Sequence, residues 1–293
     1  MKNTLPYLLN LPPFMFNGVD IENYGFYKKI IFLIKGKILS LIINNSKGNI
    51  FCFLINLFYR KNNKISFDND LYVKDLDVNR ISYPNKRILR VVNNYKYHFT
   101  KILDSYCIYD VELKDGDLLI DCGANVGEIN VALKEEKIFV EYIAFEPDPI
   151  TFNSLKINNP ESIKNLYNIG LSNENKEDIL YLDGYGGNSS LIDFGSKHQI
   201  AVNIKRLDSF DFQKRIKLLK IDAEGFEPEV LEGTQSILKN IEYIAVDFSP
   251  ERGKEQNLTI VETNSFLYLN EFELVKFGNY RMIGLYKNKE ITT

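Results

Sequence analysis

The chain has 293 residues, a formal net charge of −3, three cysteines, two histidines and no tryptophan. So few thiols and imidazoles nearly exclude a zinc site of the Cys₄ or Cys₂His₂ kind, because four good ligands must converge on one ion. The cysteines Cys52, Cys107 and Cys122 lack a paired short spacing and are too sparse for a disulfide framework. This usage favours a reducing compartment and predicts a cytoplasmic protein.

The charge is unevenly placed along the chain. Between residues 28 and 64 the sequence has eight basic side chains and no aspartate or glutamate, so the remainder of the chain is strongly acidic. Apolar runs at 30–34, 38–43 and 50–59 are separated by lysines and asparagines, and none reaches the roughly 18 apolar residues of a membrane span. The pattern predicts that residues 1–64 form a basic, amphipathic helical segment.

Two interpretations of this segment remain open. Helices with apolar bulk and a lysine-bearing face are typical of proteins that lie on anionic lipid, so residues 28–64 are a candidate peripheral contact with the inner face of the membrane. Alternatively, the apolar side packs on protein, either as a helical cap or as the contact surface of a homodimer.

The region that follows, 65–112, is a predicted accessory region with strand-like pieces in 65–74 and a helix over 92–106. An Asp-Gly pair at 115–116 predicts a turn before a buried strand. The main domain is therefore predicted over 113–293.

Within that domain, predicted strands and helices alternate. Strands are expected at 118–122, 142–145, 164–171, 218–221, 243–248, 272–277 and 282–286, with an insert of strand-like pieces at 179–182 and 201–207. Helices are expected at 127–136, 149–158, 227–238 and 258–270. Continuously apolar strands indicate a parallel sheet covered on both faces, which predicts a doubly wound α/β fold. Only residues 278–281 separate the last two strands, so the sheet should end with an antiparallel strand.

The first motif is D-x-G-x-N-x-G at 121–127, where the first buried strand turns into a helix. Doubly wound folds bind nucleotides at this position. A dinucleotide fingerprint needs a glycine where this chain has Asn125, so the spacing suits an adenosine cofactor without a pyrophosphate, of which S-adenosylmethionine is the common one. A plain glycine turn without a ligand is the alternative.

The second motif is Glu146, nineteen residues after Gly127 and at the end of the second predicted strand. A carboxylate at about this spacing holds ribose hydroxyls, because it can accept hydrogen bonds from both of them. Asp148 is predicted to be a helix cap.

The third motif is the K-I-D-A-E-G-F-E cluster at 220–227, at the end of the fourth main strand. Asp222 and Glu224 are two residues apart and should point to the same side of an extended chain. A buried carboxylate there can serve as general base toward a hydroxyl, and Asp222 is the best candidate. Mg²⁺ bridging the two carboxylates and the substrate is another possibility.

Structural roles compete for the same residues. Glu227 is predicted to lie in the first turn of the following helix, where the helix dipole favours an anion. Glu224 is a candidate acceptor for backbone N–H groups around Gly225. Lys220 is a candidate partner of a carboxylate in an ion pair at the surface.

These three motifs, with V-L-E-G at 230–233, resemble the FkbM-type methyltransferase family. The loop at 187–191 and residues 206–210 are also similar to the family, and the resemblance covers roughly 97–287. It implies the class I S-adenosylmethionine-dependent methyltransferase fold and O-methylation, often of sugar hydroxyls on glycans, glycolipids or secondary metabolites. One departure is Asp247, since such proteins often carry a glutamate after the fifth strand.

The resulting hypothesis is an O-methyltransferase acting on a sugar hydroxyl of a glycan, glycolipid or surface polysaccharide. Asp222, helped by Glu224, would remove the proton, and Glu146 would hold the ribose. The remaining cofactor pocket is expected to comprise Asp121, Gly123, Asn125, Gly127 and Glu128.

Two other classes compete with this hypothesis. One is a non-catalytic module that binds cofactor or glycan within a polysaccharide assembly. The other is a nicotinamide-dependent oxidoreductase, which Asn125 and the final hairpin disfavour. Nucleic acid is not an expected partner, because the acidic body would repel phosphate. Acceptor specificity is expected in the segment before Asp115 and in the loop 185–199.

Overall fold

The computed structural model describes residues 11–59, 64–183 and 189–291. It divides into two compact units, 1–100 and 101–293, with the boundary inside the predicted accessory region. The basic residues Arg60 and Lys61 and the loop glycines Gly186 and Gly187 lie outside the described residues. No helix among the described residues is long and apolar enough to cross a membrane.

The first unit contains helices followed by a small antiparallel sheet. Its elements are α1 (Phe26–Asn45), α2 (Gly48–Tyr59), β1 (Ile65–Asp68), β2 (Leu71–Asp75), β3 (Arg80–Tyr83) and α3 (Leu89–Val92). The strand-like stretch 65–74 is a hairpin of β1 and β2, because Asn69 and Asp70 adopt positive φ angles of 48° and 61° at the turn. The pairing of β3 with β2 was not predicted. The predicted helix over 92–106 is observed as α4 (Tyr95–Ser105).

The second unit carries the alternating pattern. Its strands are β4 (Leu118–Cys122), β5 (Glu141–Phe145), β6 (Leu166–Tyr167), β7 (Gly170–Leu171), β8 (Lys176–Tyr181), β9 (Gln199–Lys205), β10 (Ile216–Ile221), β11 (Ile241–Asp247), β12 (Phe272–Phe277) and β13 (Ile283–Asn288). Its helices after α4 are α5 (Glu128–Glu135), α6 (Pro149–Asn158), α7 (Glu227–Glu232) and α8 (Ile260–Leu269).

Seven strands form the main sheet in the order β12-β13-β11-β10-β4-β5-β6. The pairs formed by β11, β10, β4, β5 and β6 are parallel, and β13 is antiparallel to both of its neighbours. The doubly wound sheet and the antiparallel last strand are therefore confirmed, although β13 is inserted between β11 and β12 and is not at the edge. The strand order reverses at β4, so the loops after β4 and β10 face one crevice.

Two predicted elements differ from the structure. The strand expected over 164–171 is split, because β6 joins the main sheet while β7 joins a separate sheet of order β7-β9-β8. The helix expected over 227–238 ends at Glu232. Gly233 follows, and a Cβ atom there would lie 2.0 Å from the carbonyl oxygen of Ser172, so this position requires glycine.

Candidate functional site

The loop after β4 is built on alternating left-handed residues. Gly123, Asn125 and Gly127 have φ angles of 70°, 52° and 77°. A Cβ atom on Gly123 would lie 1.9 Å from the carbonyl oxygen of Asp222, so the loops after β4 and β10 touch through their backbones. The amides of Gly123 and Ala124 also donate to the carbonyl of Phe145 at 3.1 and 3.0 Å. The glycine pattern thus brings the ends of β4, β5 and β10 together.

A buried ion pair supports this loop. The Nζ atom of Lys220 lies 2.9 Å from Oδ1 of Asp121, and the two side chains are 3% and 1% exposed. Lys220 also donates to the carbonyl oxygens of Cys122 and Gly123, at 3.1 and 2.8 Å. The hydroxyl of Tyr142 donates to the other carboxylate oxygen of Asp121 at 2.7 Å. The predicted surface pairing of Lys220 is wrong, since this ammonium is buried.

The position of Asp121 bears on its predicted role. Both of its carboxylate oxygens are engaged by protein groups, and its side chain is almost fully buried. This geometry favours support of the loop over direct contact with a cofactor. Asp121 as a pocket residue stays a prediction.

Glu146 follows β5 and faces the same loop. Its Oε2 accepts the backbone amide of Asn125 at 2.9 Å, and its Oε1 accepts that of Asp148 at 3.0 Å. Burial raises the pKa of Glu146 to about 7, although the amide of Asp148 acts in the opposite direction. Each oxygen keeps a lone pair that can accept another donor.

Several predicted structural roles are confirmed. Asp148 caps α6 by accepting the amides of Ile150 and Thr151. Glu227 lies in the first turn of α7 and accepts the amides of Ala223 and Gly225, both at 3.0 Å. It therefore closes the turn that carries the candidate base.

The remaining candidates occupy distinct places. Glu128 is the first residue of α5 and is buried beside the glycine loop. Glu224 has a left-handed φ of 52° in the turn after β10. Glu224 was predicted as a possible acceptor for the amide of Gly225. In the structure that amide donates to Glu227.

Asp222 is held from one side by two groups that the motifs did not indicate. Arg281 places Nη2 3.0 Å from Oδ2 of Asp222, and the hydroxyl of Tyr106 donates to the same oxygen. Arg281 also forms an ion pair with Asp247 at the end of β11. The other oxygen of Asp222, Oδ1, is buried and accepts no hydrogen bond from the described residues.

The charges around Asp222 set its protonation. Burial alone would raise the pKa of Asp222, but the nearby charges of Arg281 and Lys220 outweigh it, and the pKa is lowered. Asp222 is therefore an anion at neutral pH. The pKa of Asp247 is raised, by burial first and then by the charge of Asp222.

Three carboxyl groups lie close together beside the turn that follows β10. One carboxylate oxygen from each of Asp222, Glu224 and Glu251 lies within 4.8 Å of the other two. Burial and the charge of Asp222 raise the pKa of Glu224 to about 10, and that of Glu251 rises to about 7. At neutral pH Glu224 is thus a neutral acid in the protein alone. A cation close to the three groups would favour their ionised forms.

The main residues that sequence reasoning missed are Tyr106, Arg281 and Glu251. Tyr106 precedes the predicted domain start, and Glu251 follows β11 in an irregular segment, so neither belongs to a motif. Arg281 lies in the connection that was recognised only as a hairpin. Its place at the edge of the sheet beside the strand ends was the available signal.

The crevice offers groups that match the chemistry of S-adenosylmethionine. The buried oxygens Asp222 Oδ1 and Glu224 Oε2 lack a hydrogen-bond partner among the described residues, so the site has unmet capacity for a donor or a cation. Glu146 offers free lone pairs next to the glycine loop. A surplus of carboxyl groups suits a sulfonium cation, and a carboxylate acceptor suits a ribose diol. The residues therefore fit this cofactor.

Comparison with known proteins identifies relatives that are named as methyltransferases. Methyltransferase 1 of Beauveria bassiana (strain ARSEF 2860) is 29% identical over 154 residues, which cover 43% of this chain and 61% of that protein. Methyltransferase sdnD of Sordaria araneosa is 24% identical over 233 residues, which cover 65% of this chain and 88% of that protein. The chain thus matches less than two thirds of the length of the first relative.

Two of the solved structures with some likeness to this chain are described as methyltransferases. Magnesium protoporphyrin IX methyltransferase from Synechocystis PCC 6803 is 10% identical, with a TM-score of 0.40 and coverage of 70% of this chain and 88% of that chain. Precorrin-6y C5,15-methyltransferase from Geobacter metallireducens GS-15 is 11% identical, with a TM-score of 0.37 and coverage of 64% of this chain and 89% of that chain.

The family comparison covers the site as a whole. The family model described as the methyltransferase FkbM domain matches residues 121–281, which is more than half of the chain. The matched range begins at Asp121 under the glycine loop and ends at Arg281, the partner of Asp222. The chain therefore belongs to the FkbM methyltransferase family.

Proposed function

We propose that this protein is an S-adenosylmethionine-dependent O-methyltransferase whose acceptor is a sugar hydroxyl of a glycan, glycolipid or surface polysaccharide. The observation that carries the proposal is the free oxygen of Asp222. Oδ1 is buried and accepts no hydrogen bond within the described part of the chain, the group is ionised, and it lies at the crevice edge beside the glycine loop. That is the arrangement a hydroxyl needs in order to lose its proton during attack.

Asp222 would act as acceptor for the hydroxyl proton. Tyr106 and Arg281 bind its Oδ2 and so leave Oδ1 as the oxygen directed at the acceptor. When bound, S-adenosylmethionine supplies an electrophilic methyl group. The protein contributes the position of the hydroxyl and the destination of its proton, and orientation of this kind lowers a barrier by several kcal/mol.

Separate residues would hold the cofactor. Glu146 is positioned to accept the ribose hydroxyls. The backbone of Gly123, Asn125 and Gly127 would line the cofactor pocket, with Glu128 at the start of α5. The buried ion pair of Asp121 and Lys220 would hold this loop in position.

A radiolabel experiment tests the proposal. The full chain is incubated with methyl-labelled S-adenosylmethionine and fractionated glycans and lipids, and cofactor affinity is measured by calorimetry. We expect label in a carbohydrate fraction, and Asp222→Asn should lower turnover by about 10²-fold or more while the cofactor still binds. The exposed Asp211→Asn is the matched control and should be unchanged.

The chemical class of the product distinguishes the competing functions. A methyl ether of a sugar survives mild base, whereas a methyl ester does not, so base treatment of the labelled fraction separates hydroxyl from carboxyl acceptors. Cofactor binding without transfer to any fraction would favour the non-catalytic module. Full turnover in Asp222→Asn would remove the base assignment.

The Mg²⁺ predicted as possible at Asp222 and Glu224 stays a hypothesis. The supporting geometry is the close approach of Asp222, Glu224 and Glu251. Hard cations prefer such oxygen ligands. Dialysis against a chelator followed by Mg²⁺ titration tests it, and turnover that chelation leaves unchanged would contradict it.

A further inference from the structure

Helix α1 has two different apolar faces. One is packed, since Leu39 is fully buried and a Cβ atom on Gly36 would lie 2.5 Å from the side chain of Leu11. The other is open and carries large side chains that are between 37% and 81% exposed, namely Tyr27, Ile30, Ile31, Ile34, Ile38 and Leu41. Their spacing of three and four residues places them in one stripe along the helix. We call them the α1 stripe.

Helix α2 repeats this arrangement on a smaller scale. Phe51, Cys52 and Ile55 are buried. Ile50, Phe53 and Leu57 are 68%, 66% and 54% exposed and form the α2 stripe. The helix contains no charged residue over its 12 positions. Soluble monomers rarely expose contiguous apolar patches of this kind unless the patch binds something.

Charge identifies the occupant. The lysines Lys28, Lys35, Lys37 and Lys47 are exposed, and no acidic residue occurs between residues 26 and 64. At about 100° per residue, Lys28 and Lys35 lie along one border of the α1 stripe and Lys37 along the other. Lysines at the borders of an apolar stripe extend their ammonium groups to the level of anionic headgroups while the stripe enters the acyl boundary.

We propose that the α1 and α2 stripes bind the surface of an anionic phospholipid bilayer. A protein partner would not require cations on both borders of the stripe, whereas an anionic headgroup layer does. The surface is independent of the methyl-transfer site, so either assignment can fail without the other.

The absence of tryptophan from the chain provides a clean test. Ile34→Trp and Phe53→Trp each introduce a single reporter, and Leu269→Trp is the control on an exposed apolar position of α8. With vesicles that contain phosphatidylserine, we expect a blue shift and quenching by brominated lipid for the two stripe variants and none for the control. No shift at either stripe position would overturn the proposal.

Charge variants test the electrostatic part in co-sedimentation with the full chain. Replacement of Lys35 and Lys37 by Glu should weaken partition onto anionic vesicles by at least about 20-fold, since each basic side chain contributes about fivefold. Lys239→Glu, on an exposed position of the second unit, should have little effect. Unchanged circular dichroism and thermal unfolding exclude misfolding of the variants.

Three outcomes would overturn the membrane assignment. The first is equal partition onto phosphatidylcholine vesicles with and without the anionic lipid. The second is binding that added salt does not weaken. The third is a dimer, seen by sedimentation velocity, that Ile34→Glu converts to monomer while vesicles capture neither form, because the occupant would then be a second copy of the chain.

Discussion

Arg281 forms an ion pair with Asp222 through Nη2 and Oδ2, which are 3.0 Å apart, and thereby joins the connection before the last strand to the end of β10. The same guanidinium also pairs with Asp247. One cation thus serves two buried carboxyl groups, and it determines which oxygen of Asp222 remains available.

Removal of the Arg281 charge should alter the pH dependence of turnover. In Arg281→Met, Asp222 loses a charge that lowers its pKa, so its pKa rises and the acid limb of the kcat profile moves upward by about one to three pH units. Arg281→Lys retains the charge and should move the limb less. If the two variants share the wild-type acid limb, the ionisation of Asp222 does not control the reaction.

Lys220→Met should be severely destabilising, because it leaves the carboxylate of Asp121 buried without its cation. We expect a loss of about 3–5 kcal/mol in the free energy of unfolding, measured with urea. Adding Asp121→Asn to Lys220→Met removes the stranded charge and should recover most of that loss. Lys214→Met, just before the same strand, breaks an exposed ion pair with Glu141 and should cost no more than about 1 kcal/mol. Equal losses in the two lysine variants would contradict this role.

Gly123→Ala should disrupt the site through a steric clash as well as through the strain of its positive φ angle. A Cβ atom there meets the carbonyl of Asp222 at 1.9 Å, whereas at Gly116, with a similar φ of 82°, no atom of the described residues lies within 4 Å. Gly116→Ala should therefore cost about 1–2 kcal/mol for the left-handed conformation alone. Gly123→Ala should cost more and weaken cofactor binding. Calorimetry and urea unfolding of both variants measure the difference, and equal costs would show that the two loops can separate freely.

Glu227 should make stability fall as pH rises. Burial raises its pKa to about 7 from 4.5, so the folded protein binds more protons than the unfolded chain between these values. Its contribution is complete below about pH 4.5 and is lost as pH rises through about 7. Glu227→Gln keeps an oxygen that can accept the two amides and should flatten this slope in urea unfolding. An unchanged slope would place the proton uptake on other groups.

Glu146→Gln should weaken S-adenosylmethionine binding by about 10-fold or more at about pH 8, where Glu146, with its pKa of about 7, is ionised, because hydrogen bonds to a charged acceptor contribute about 1.5–3 kcal/mol. Glu141→Gln, at the start of β5 and in a solvent-accessible ion pair with Lys214, is the control. Wild-type affinity in Glu146→Gln would exclude the ribose role.

Features that depend only on neighbouring residues in the sequence were predictable. Strands such as 118–122 and 243–248 were evident from continuous apolar runs, which reflect burial on both faces of a parallel sheet. Asp148 and Glu227 were identifiable as groups at helix starts, because capping depends on the next few amides only. The split of 164–171 was not predictable, since it depends on which of two sheets each piece can pair with.

The sequence by itself determined the strand and helix alternation, the glycine loop at 121–127 and the carboxylates Glu146, Asp222 and Glu224, because each follows from spacing along a few residues. The tertiary structure decided what surrounds them. Tyr106 and Arg281 are 116 and 59 residues from Asp222 and reach it only because the tertiary fold brings their segments to the end of β10. The protonation of Asp222, Glu224 and Glu251 follows from that convergence, since burial and neighbouring charge set a pKa and neither is a property of local sequence.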